Sequence, residues 1–516
     1  MALRKLPIGI QDFPSMREDG YLYVDKTALV YKLVSEGRIY FLSRPRRFGK
    51  SLLLSTLGAY FDGRKELFTG LAIEKLESDW LEYPVLRLDL NAEKYESVGA
   101  LQSILNRHLE AWESKFPGGH AGRSMAERFI GVIERAYIQT GRRVVVLVDE
   151  YDKPLLGVLE NPELLKEYKN TLKAFYGVLK SADAWLKFAF ITGVTKFGQV
   201  SVFSDLNQPT DLSIDRDSAA LCGITEQELL ANFAPELEAL AVQQKMNPSD
   251  CLDKVRSMYN GYKFHQDGPG VYNPFSTLNL LRAKEFKDFW FQTGTPTFLV
   301  ELLKKTDTDL REIDGVEMGA SDFADYKADL DLPLPVIYQS GYLTIKSYDP
   351  EVSMYTLGFP NEEVRNGFLN FTMPFYTGIP KGRGGFHIGK FSQELRAGNV
   401  EAFLTRMIPF FEAFPYDLNA KTERHYQVVF YLIFSLLGQH IRSEVKSAKG
   451  RADAVVWTPD HIFVFEFKLN GTAEEALAQI DAKGYCVPYQ ADGRTVVKVG
   501  VEFDKATRNI GRWLLG

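Results

Sequence analysis

The segment at positions 44–51, with the sequence Arg-Pro-Arg-Arg-Phe-Gly-Lys-Ser, constrains the fold of this chain more than any other feature. It follows the apolar run 39–42 and precedes the leucine-rich stretch 52–57, which has the pattern of a helix. A strand, a turn ending in Gly-Lys-Ser and a helix form a phosphate-binding loop, because backbone N–H groups and the helix N-terminus point at one anion. The segment therefore predicts a nucleotide-binding P-loop in an α/β domain.

The lysine and the serine of this segment carry the chemistry expected of such a loop. Lys50 is expected to contact the β- and γ-phosphates of ATP, and Ser51 is expected to bind Mg²⁺ through its hydroxyl. The other residues predicted to contact the nucleotide are Arg46, Arg47, Phe48, Gly49 and Leu52, with a second subunit as the alternative partner of the two arginines. The usual motif has glycine where Arg44 stands, so the pattern alone does not separate a P-loop from an unrelated turn.

A second element of a nucleotide site follows at the end of a predicted strand. The run 144–148 consists of valine and leucine, which is typical of a strand covered on both faces of a parallel sheet, and it ends in Asp149 and Glu150. Asp149 is expected to hold Mg²⁺, and Glu150 to orient and deprotonate the attacking water. An acidic pair that only caps a strand is the alternative, but the upstream P-loop favours the nucleotide site.

The next predicted strand brings a polar residue to the same edge of the sheet. The segment 186–192 is apolar and ends in Thr192, and Thr195 follows shortly after. A polar side chain beside the Asp-Glu strand is well placed to contact the γ-phosphate. The sequence leaves both threonines open for this role.

Length and composition set wider limits. A chain of 516 residues is too long for one ordinary hydrophobic core and predicts two to four domains. The net charge of −6 argues against a globally basic nucleic-acid binder, although it does not exclude a local basic groove. No apolar run approaches the roughly 20 residues that span a bilayer, and residues 1–7 lack the apolar core of a signal peptide, so a cytoplasmic protein with no membrane partner is expected. The three widely spaced cysteines predict structural thiols.

A second group of charged residues lies near the C-terminus. An apolar helix is predicted at 426–437, followed by strands at 441–445, 452–457 and 462–468. Because side chains alternate along a strand, Glu466 and Lys468 share one face, and Asp453 lies on the preceding strand. Two neighbouring carboxylates bind a divalent cation, and a nearby lysine positions or activates the water that attacks a phosphodiester. The alternative is an exposed sheet face with ion pairs.

Several segments together resemble a bacterial family of AAA-ATPase-like proteins that carry a C-terminal PD-(D/E)XK nuclease-like domain. The similar segments are 23–27, 44–51, 149–154 and 203–207, with further likeness at 259–262, 272–275 and 293–296. In that family the P-loop also has arginine in place of the first glycine. The resemblance therefore implies that Arg44 is a family variant of a working loop.

The same resemblance extends the predicted nuclease site. It implies a metal site formed by Asp453 and Glu466, with Lys468 as a further catalytic residue. Gln479, in the predicted helix 473–480, is similar to the glutamine that follows the active-site strands in RecB-like members, and Tyr485 to their tyrosine.

Two residues are candidates for the acidic residue that completes this site. Glu444 is favoured because it lies on the strand that leads to the turn 450–453, and Glu423, at the start of the apolar helix, is the alternative. A cluster of basic side chains near the site is expected to contact phosphates: Arg442, Lys446, Lys449 and Arg451.

The predicted fold class is α/β: a P-loop, AAA-like (ASCE) parallel sheet with a helical or winged lid, and a C-terminal PD-(D/E)XK restriction-endonuclease-like α/β domain. The predicted domains are an ATPase core at 1–210, a lid at 211–280, a connector at 281–385 and a nuclease-like domain at 386–516. The sequence shows no recognisable chemistry in the connector. The basic loop at 381–385 is interpreted as a hinge.

These observations predict an ATP-dependent regulator fused to a Mg²⁺-dependent nuclease. Its expected cofactors are ATP and Mg²⁺. Its expected partner is nucleic acid, with DNA favoured over RNA. The sequence also allows a homo-oligomer. The alternative is a nucleotide-switched binding or signalling protein whose nuclease-like domain is only a docking module. A kinase-like enzyme for a small phosphorylated substrate is a weaker alternative, because the sequence shows no acceptor site.

Overall fold

The chain divides into two compact units in a computed structural model. The first unit comprises Met1–Trp290 and Gly315–Glu363, and the second comprises Phe291–Asp314 and Val364–Gly516. The residues that the structure describes are 4–91, 94–95, 97–118, 123–159, 161–196, 203, 209–291, 303, 309–324, 333–377, 379–380, 383–412, 423–438, 442–445, 452–504, 507 and 509–516.

A five-stranded parallel sheet forms the centre of the first unit. Its strands are β1 Ile39–Ser43, β2 Val85–Asp89, β3 Val144–Asp149, β4 Leu186–Gly193 and β5 Thr210–Asp211, in the order β2-β3-β4-β1-β5. Strand β4 lies between β1 and β3, with Ser43 paired to Gly193 and Val148 paired to Ile191. Since all pairs are parallel, the carboxyl ends of β1, β3 and β4 meet at one edge. The predicted α/β class with a parallel sheet is confirmed.

The helices of this unit follow from the apolar pattern and the caps at their ends. Those between residues 13 and 181 are α1 Phe13–Glu18, α2 Thr27–Glu36, α3 Lys50–Phe61, α4 Val98–Lys115, α5 Met125–Thr140, α6 Lys153–Leu156 and α7 Pro162–Ser181. Helices α3 and α5 pack against β3, whose valines are fully buried. The N-terminus of α5 has a capping box, in which Ser124 and Glu127 satisfy each other's backbone N–H groups.

Five further helices and two small sheets lie in the described part of the first unit after β5. Three of the helices are α8 Glu226–Gln244, α9 Pro248–Tyr259 and α10 Pro274–Ala283, beside a two-stranded antiparallel sheet of β6 Ile224–Thr225 and β7 Val271–Tyr272. They share an apolar core that includes Leu229, Phe233, Val255 and Tyr259. The other sheet is antiparallel, in the order β8 Val316–Gly319, β10 Met354–Gly358 and β9 Thr344–Asp349, accompanied by α11 Ala320–Ala324 and α12 Pro333–Gln339.

The carboxyl group of Glu363 is fully buried in this unit. Glu363, in the first turn of α13 Glu362–Thr377, is 0% exposed. Its Oε1 accepts hydrogen bonds from the hydroxyl of Ser276 at 3.0 Å and from the backbone N–H of Trp290 at 2.7 Å, while Oε2 has no partner among the described residues. Burial raises the pKa of Glu363 to about 8. The side chain is therefore protonated in the folded protein at neutral pH.

We expect the variant Glu363→Gln to weaken the dependence of stability on pH. In the unfolded chain this carboxyl ionises near its usual pKa of 4.5, but in the folded protein it keeps its proton until about pH 8. Raising the pH through this window therefore favours unfolding by about 1.4 kcal/mol per pH unit. The amide of glutamine keeps the acceptor oxygen and cannot ionise.

Thermal unfolding between pH 5.5 and pH 8 measures this effect. The melting temperature of the wild type should fall more steeply with rising pH than that of the Glu363→Gln variant. Its exposed neighbour Glu362 provides the matched control, because Glu362→Gln should keep the wild-type slope. Equal slopes for the wild type and Glu363→Gln would contradict the assignment of a neutral carboxyl.

A mixed five-stranded sheet forms the centre of the second unit. Its strands are β11 Arg442–Val445, β12 Ala454–Trp457, β13 His461–Lys468, β14 Thr495–Asp504 and β15 Asn509–Leu515, and they lie side by side in chain order. The β13–β14 pair is parallel, and the other pairs are antiparallel. Parallel neighbours need a crossover connection. Helix α17 Ala473–Ala482 supplies it and packs against both strands.

The other helices of the second unit cover the sheet with aromatic side chains. They are α14 Gly384–Arg396, α15 Val400–Glu412 and α16 Glu423–Leu437, together with the part of α13 after residue 363. The ring of Phe467 stacks on Phe430 of α16 at 3.9 Å between centroids, and Phe465 packs edge-on against Phe434. In the described part of the chain, no helix is both long and apolar enough to cross a bilayer.

Candidate functional site

The P-loop segment closes around the ammonium group of Lys50. The segment follows β1, and helix α3 begins at Lys50 itself. The preceding residue, Gly49, has φ of 94°, a left-handed conformation that favours glycine. The Nζ atom of Lys50 donates hydrogen bonds to the backbone carbonyl oxygens of Arg44 at 3.0 Å and Pro45 at 3.3 Å. The side chain is only 4% exposed, so the loop holds a buried cation at the start of the helix.

The carboxylate of Asp149 connects the P-loop helix with strand β4. One of its oxygens accepts a hydrogen bond from the hydroxyl of Ser51 at 2.6 Å, and the other accepts one from the hydroxyl of Thr192 at 2.7 Å. Burial raises the pKa of Asp149 above its usual value, although the two hydrogen bonds act in the opposite direction. A carboxylate and a hydroxyl at this separation are oxygen ligands of the kind that Mg²⁺ prefers. These residues therefore fit the metal of a nucleotide site.

Glu150 pairs with the P-loop lysine. Its Oε1 lies 3.5 Å from Nζ of Lys50. Its backbone has φ of 55°, which is uncommon for a residue with a side chain and costs on the order of 1–3 kcal/mol. The strand end thus turns sharply at Glu150 and presents the carboxylate to the cation that a phosphate would also contact.

The two candidate threonines belong to different hydrogen-bond networks. Thr192 contacts Asp149, whereas the hydroxyl of Thr195 donates to Oδ2 of Asp152 at 2.7 Å. Asp152 also accepts hydrogen bonds from the backbone N–H groups of Val194 and Thr195, and burial raises its pKa to about 6. Of the two threonines, Thr192 is the one beside Asp149. Asp152 lies in the segment 149–154 that carries the family resemblance, but the sequence assigned it no role, because its partners Val194 and Thr195 are 42 and 43 residues away.

Arg44, the unusual first residue of the loop, is buried inside the first unit. It is 1% exposed, and its guanidinium group lies 4.0 Å above the ring of Phe264. It donates hydrogen bonds to the backbone carbonyl oxygens of Ser43, Ser213 and Ser218 at 2.9, 2.8 and 3.1 Å. Arginine at this position therefore ties the P-loop to the segment after β5.

The remaining loop residues have separate partners. Arg46 and Arg47 are exposed: the Arg46 carbonyl oxygen accepts a hydrogen bond from the indole N–H of Trp290 at 3.1 Å, and the Arg47 guanidinium lies 5.0 Å from the ring of Phe275. Phe48 is 1% exposed and packs against Tyr262 and Phe264. Leu52 is half-buried in the first turn of α3. The aromatic ring of Phe48 thus anchors the loop from inside the protein.

We expect Arg44→Ala to destabilise the first unit by about 2–4 kcal/mol, because it removes the Arg44 donor from three buried carbonyl oxygens and opens a space beside Phe264. Of these oxygens, that of Ser218 keeps a backbone donor, the N–H of Leu221. Thermal unfolding followed by circular dichroism would show a lower melting temperature. The exposed Arg46 provides the control, since Arg46→Ala should change stability by no more than about 0.5 kcal/mol. An Arg44→Ala variant as stable as Arg46→Ala would contradict this account.

The second unit brings together four of the residues predicted for a nuclease site. Asp453 precedes β12, Glu466 and Lys468 lie on β13, and Gln479 lies on α17. The amide N–H of Gln479 donates to Oε1 of Glu466, and the ammonium group of Lys468 donates to the amide oxygen of Gln479. Lys468 also lies 3.4 Å from Oε1 of Glu466. Gln479 thus orients both the acid and the lysine.

The electrostatics of these carboxylates fit a divalent cation. Burial, followed by the charge of Asp453, raises the pKa of Glu466 to about 7, and burial raises the pKa of Asp453. Oδ2 of Asp453 accepts the backbone N–H of Phe467 at 2.9 Å. The Oε2 atom of Glu466 is buried without a hydrogen-bond partner among the described residues. A buried acceptor of this kind, next to a second acid that repels it, is suited to bind Mg²⁺.

Other residues predicted for this site lie partly outside the described residues. The backbone of Glu444 pairs with Val455 of β12, but its side chain and that of Glu423 are not described. Of the predicted basic cluster, Lys446, Lys449 and Arg451 are outside the described residues, as are 204–207 of the earlier similar segments. The choice between Glu444 and Glu423 stays a prediction.

A cavity of about 630 Å³ lies beside these residues in the second unit. Its lining includes Asp453, Glu466 and Lys468 together with Arg311, Asp314, Arg365 and Gln427. Arg311, Asp314 and Arg365 belong to the segment 281–385, which was predicted to be a connector without recognisable chemistry. No sequence signal could have indicated them, because single residues far from a motif reach a site only through the tertiary fold.

Comparison with known proteins places these two sites in matching domains. Residues 7–203 match the model of a family described as predicted AAA-ATPase, and residues 421–513 match the PD-(D/E)XK nuclease superfamily. The chain is also similar to a protein of Azotobacter chroococcum mcd 1 described as "Uncharacterized protein in vnfD 5'region". The two are 37% identical over 527 residues, which cover 99% of this chain and 98% of the relative.

Two solved structures from Aeropyrum pernix show only a weak likeness. The ORC2 protein, solved as ADPNP–ADP complexes, is 10% identical with a TM-score of 0.27, and the match covers 66% of this chain and 92% of that one. The ORC1 protein, solved in complex with DNA, is 11% identical with a TM-score of 0.23, and the match covers 66% and 90%. At such TM-scores neither structure supports an inference about this chain.

Proposed function

Because the chain belongs to the family of predicted AAA-ATPases that carry a C-terminal PD-(D/E)XK nuclease superfamily domain, we propose that it is an ATP-hydrolysing regulator fused to a Mg²⁺-dependent nuclease. The nuclease cleaves phosphodiesters of nucleic acid, with DNA favoured over RNA. The observation that carries this proposal is the buried Oε2 atom of Glu466, which has no hydrogen-bond partner in the described part of the chain and lies next to Asp453 and Lys468 in a cavity.

The ATPase half of the proposal is supported by the residues around Lys50. The buried ammonium group binds the β- and γ-phosphates, and in doing so exchanges its contacts with loop carbonyl oxygens and Glu150 for charged oxygens of the nucleotide. Ser51 and Asp149 hold Mg²⁺. Release of Glu150 from Lys50 leaves its carboxylate available to accept a proton from the attacking water.

The nuclease half is supported by the arrangement around Glu466. Asp453 and Glu466 hold Mg²⁺, which when bound stabilises the charge that develops on the phosphoryl group. Lys468, held in place by Gln479, donates a hydrogen bond that orients the attacking water or the phosphate oxygen. The cavity beside Asp453 and Glu466 gives the reacting phosphodiester a place next to both carboxylates.

Cleavage of labelled single- and double-stranded DNA and RNA tests the proposal. Each substrate is incubated with Mg²⁺ or Mn²⁺ and with ATP, a non-hydrolysable ATP analogue or no nucleotide. We expect metal-dependent cleavage whose rate changes with the nucleotide present. If all four substrates stay intact under every condition while ATP is bound, the nuclease half is wrong, and the nucleotide-switched docking protein becomes the better explanation.

A further inference from the structure

We propose that Arg365 binds a phosphate of a nucleic-acid strand in the cavity beside Asp453 and Glu466. This inference rests on the proposed function and adds a substrate-binding residue from outside the segment 421–513 that matches the nuclease superfamily. Arg365 lies in α13, and its side chain lines the same cavity as the two carboxylates.

The guanidinium group of Arg365 keeps unused donor capacity. Its Nε atom is buried and has no hydrogen-bond partner among the described residues. The group donates a hydrogen bond to the hydroxyl of Tyr431, which lines the cavity as well. A buried N–H without a partner costs free energy, and a phosphate oxygen is the acceptor that a guanidinium group binds most strongly. The unsatisfied donor therefore points to an anionic ligand.

A second arginine that lines this cavity, Arg311, differs from Arg365 because a carboxylate pairs with it. Arg311 is held by Asp309 through hydrogen bonds at 2.6, 3.0 and 3.2 Å, and it also donates to the side-chain oxygen of Gln427. Asp309 therefore balances the charge of Arg311. Arg365 has no such carboxylate partner among the described contacts. Arg311 forms a fixed part of the wall, and Arg365 supplies the charge for the ligand.

The charges that line the cavity become favourable for phosphate once the metal is bound. The described charged residues of the lining are Arg311, Arg365, Lys468, Asp314, Asp453 and Glu466. Because Asp309 balances Arg311, the other five residues carry a formal charge of −1 without a metal ion, and a divalent cation on Asp453 and Glu466 changes it to +1. This coupling makes phosphate binding by Arg365 strongest in the metal-loaded protein.

The cavity has the size of a site for a small ligand. Its volume of about 630 Å³ lies in the range of roughly 300–1,000 Å³ that is usual for a small-molecule ligand. A single phosphate group is small enough to enter such a space. The ligand that we infer is therefore one phosphate of a nucleic-acid strand, either within the strand or at its 5′ end.

Binding of a fluorescent single-stranded oligonucleotide at several salt concentrations tests the inference without relying on catalysis. The parent protein is the wild type with Asp453 and Glu466 in place, Mg²⁺ is present, and the oligonucleotide has phosphorothioate linkages, which resist cleavage during the measurement. We expect Arg365→Gln to weaken binding about tenfold and to reduce the slope of log K against log[salt] by about 0.7, the value for one phosphate contact on a single strand. Arg365→Lys should restore most of the slope because it keeps the charge.

The matched control removes an arginine of the same unit that is not part of the cavity lining. Arg512 is 61% exposed and paired with Glu474, and Arg512→Gln should leave the salt slope unchanged. Oligonucleotides with and without a 5′-phosphate separate the two sources of the ligand: a slope change only with the 5′-phosphate indicates the strand end, and a change with both indicates an internal phosphate.

The outcomes separate this inference from the proposed function. If Arg365→Gln has the same slope and affinity as its parent, the inference is overturned, whether or not the wild type cleaves nucleic acid. If the slope falls as expected but the wild type cleaves nothing, phosphate binding by Arg365 stands and the nuclease activity is wrong. If the parent protein does not bind the oligonucleotide at all, both are overturned.

Discussion

The variant Lys50→Ala is expected to lose ATP affinity by about 10- to 100-fold and to lose measurable ATP hydrolysis. The ammonium group of Lys50 is buried at the start of α3, where a phosphate would receive a charge-assisted hydrogen bond worth about 1.5–3 kcal/mol. Removal of this group also leaves the carboxylate of Glu150 without its cation. Titration of a fluorescent ATP analogue and a phosphate-release assay measure the two effects.

The exposed Lys65, in the same unit, provides a control with the same chemical change. Lys65→Ala should bind and hydrolyse ATP like the wild type. If Lys50→Ala binds ATP within threefold of the wild type, the segment 44–51 is not the phosphate-binding loop. If nuclease activity no longer responds to ATP in the Lys50→Ala variant, the loop acts as the control element of the nuclease.

The elements that the sequence predicted best are those with local signals at both ends. The helix predicted at 473–480 is observed as α17 Ala473–Ala482, because Thr472 forms a capping box with Glu475 at its N-terminus and Gly484, with a positive φ, follows its end. The predicted strand 452–457 instead begins at Ala454. Asp453 leaves the β12 ladder because its carboxylate accepts the backbone N–H of Phe467 on the neighbouring strand. That contact depends on the fold of the hairpin and has no local signal.

The proximity of the residues proposed for the nucleotide site was predictable because they lie at ends of strands that a parallel sheet must bring together. Lys50, Asp149 and Thr192 follow β1 or end β3 and β4, and the strand order alone places them at one edge. The role of Arg44 was not predictable in this way. Its partners Phe264, Ser213 and Ser218 are far away in the sequence, and only the folded chain shows that a charged side chain is buried there.

In the second site, too, some residues were predictable from local sequence signals and others depend on contacts between distant segments. Glu466 and Lys468 share a face because they are two residues apart on a strand, and Gln479 reaches them because α17 is the crossover between two parallel neighbours. Arg365 comes from a helix that begins more than fifty residues before the family match starts. Its place in the cavity follows from the packing of α13 within the second unit. No local sequence pattern predicts that packing.

The variant Asp453→Asn is expected to reduce nucleic-acid cleavage by at least about a hundredfold while ATP hydrolysis stays at the wild-type level. Asparagine keeps the oxygen that accepts the backbone N–H of Phe467, so the fold around β13 is retained. The loss of one negative charge removes a metal ligand and also removes the repulsion that raises the pKa of Glu466. Cleavage rates at several Mg²⁺ concentrations, measured with ATP hydrolysis in parallel, separate the two activities.

The control for this variant is Asp460→Asn, which makes the same change at an exposed aspartate between β12 and β13 and should cleave like the wild type. Equal cleavage by Asp453→Asn and the wild type would contradict the metal site. The pair Lys50→Ala and Asp453→Asn also decides between the two functions. If the biological activity of the protein needs Lys50 but tolerates Asp453→Asn, the nuclease-like domain is a docking module and the ATPase is a switch, because only a catalytic site requires this carboxylate's charge.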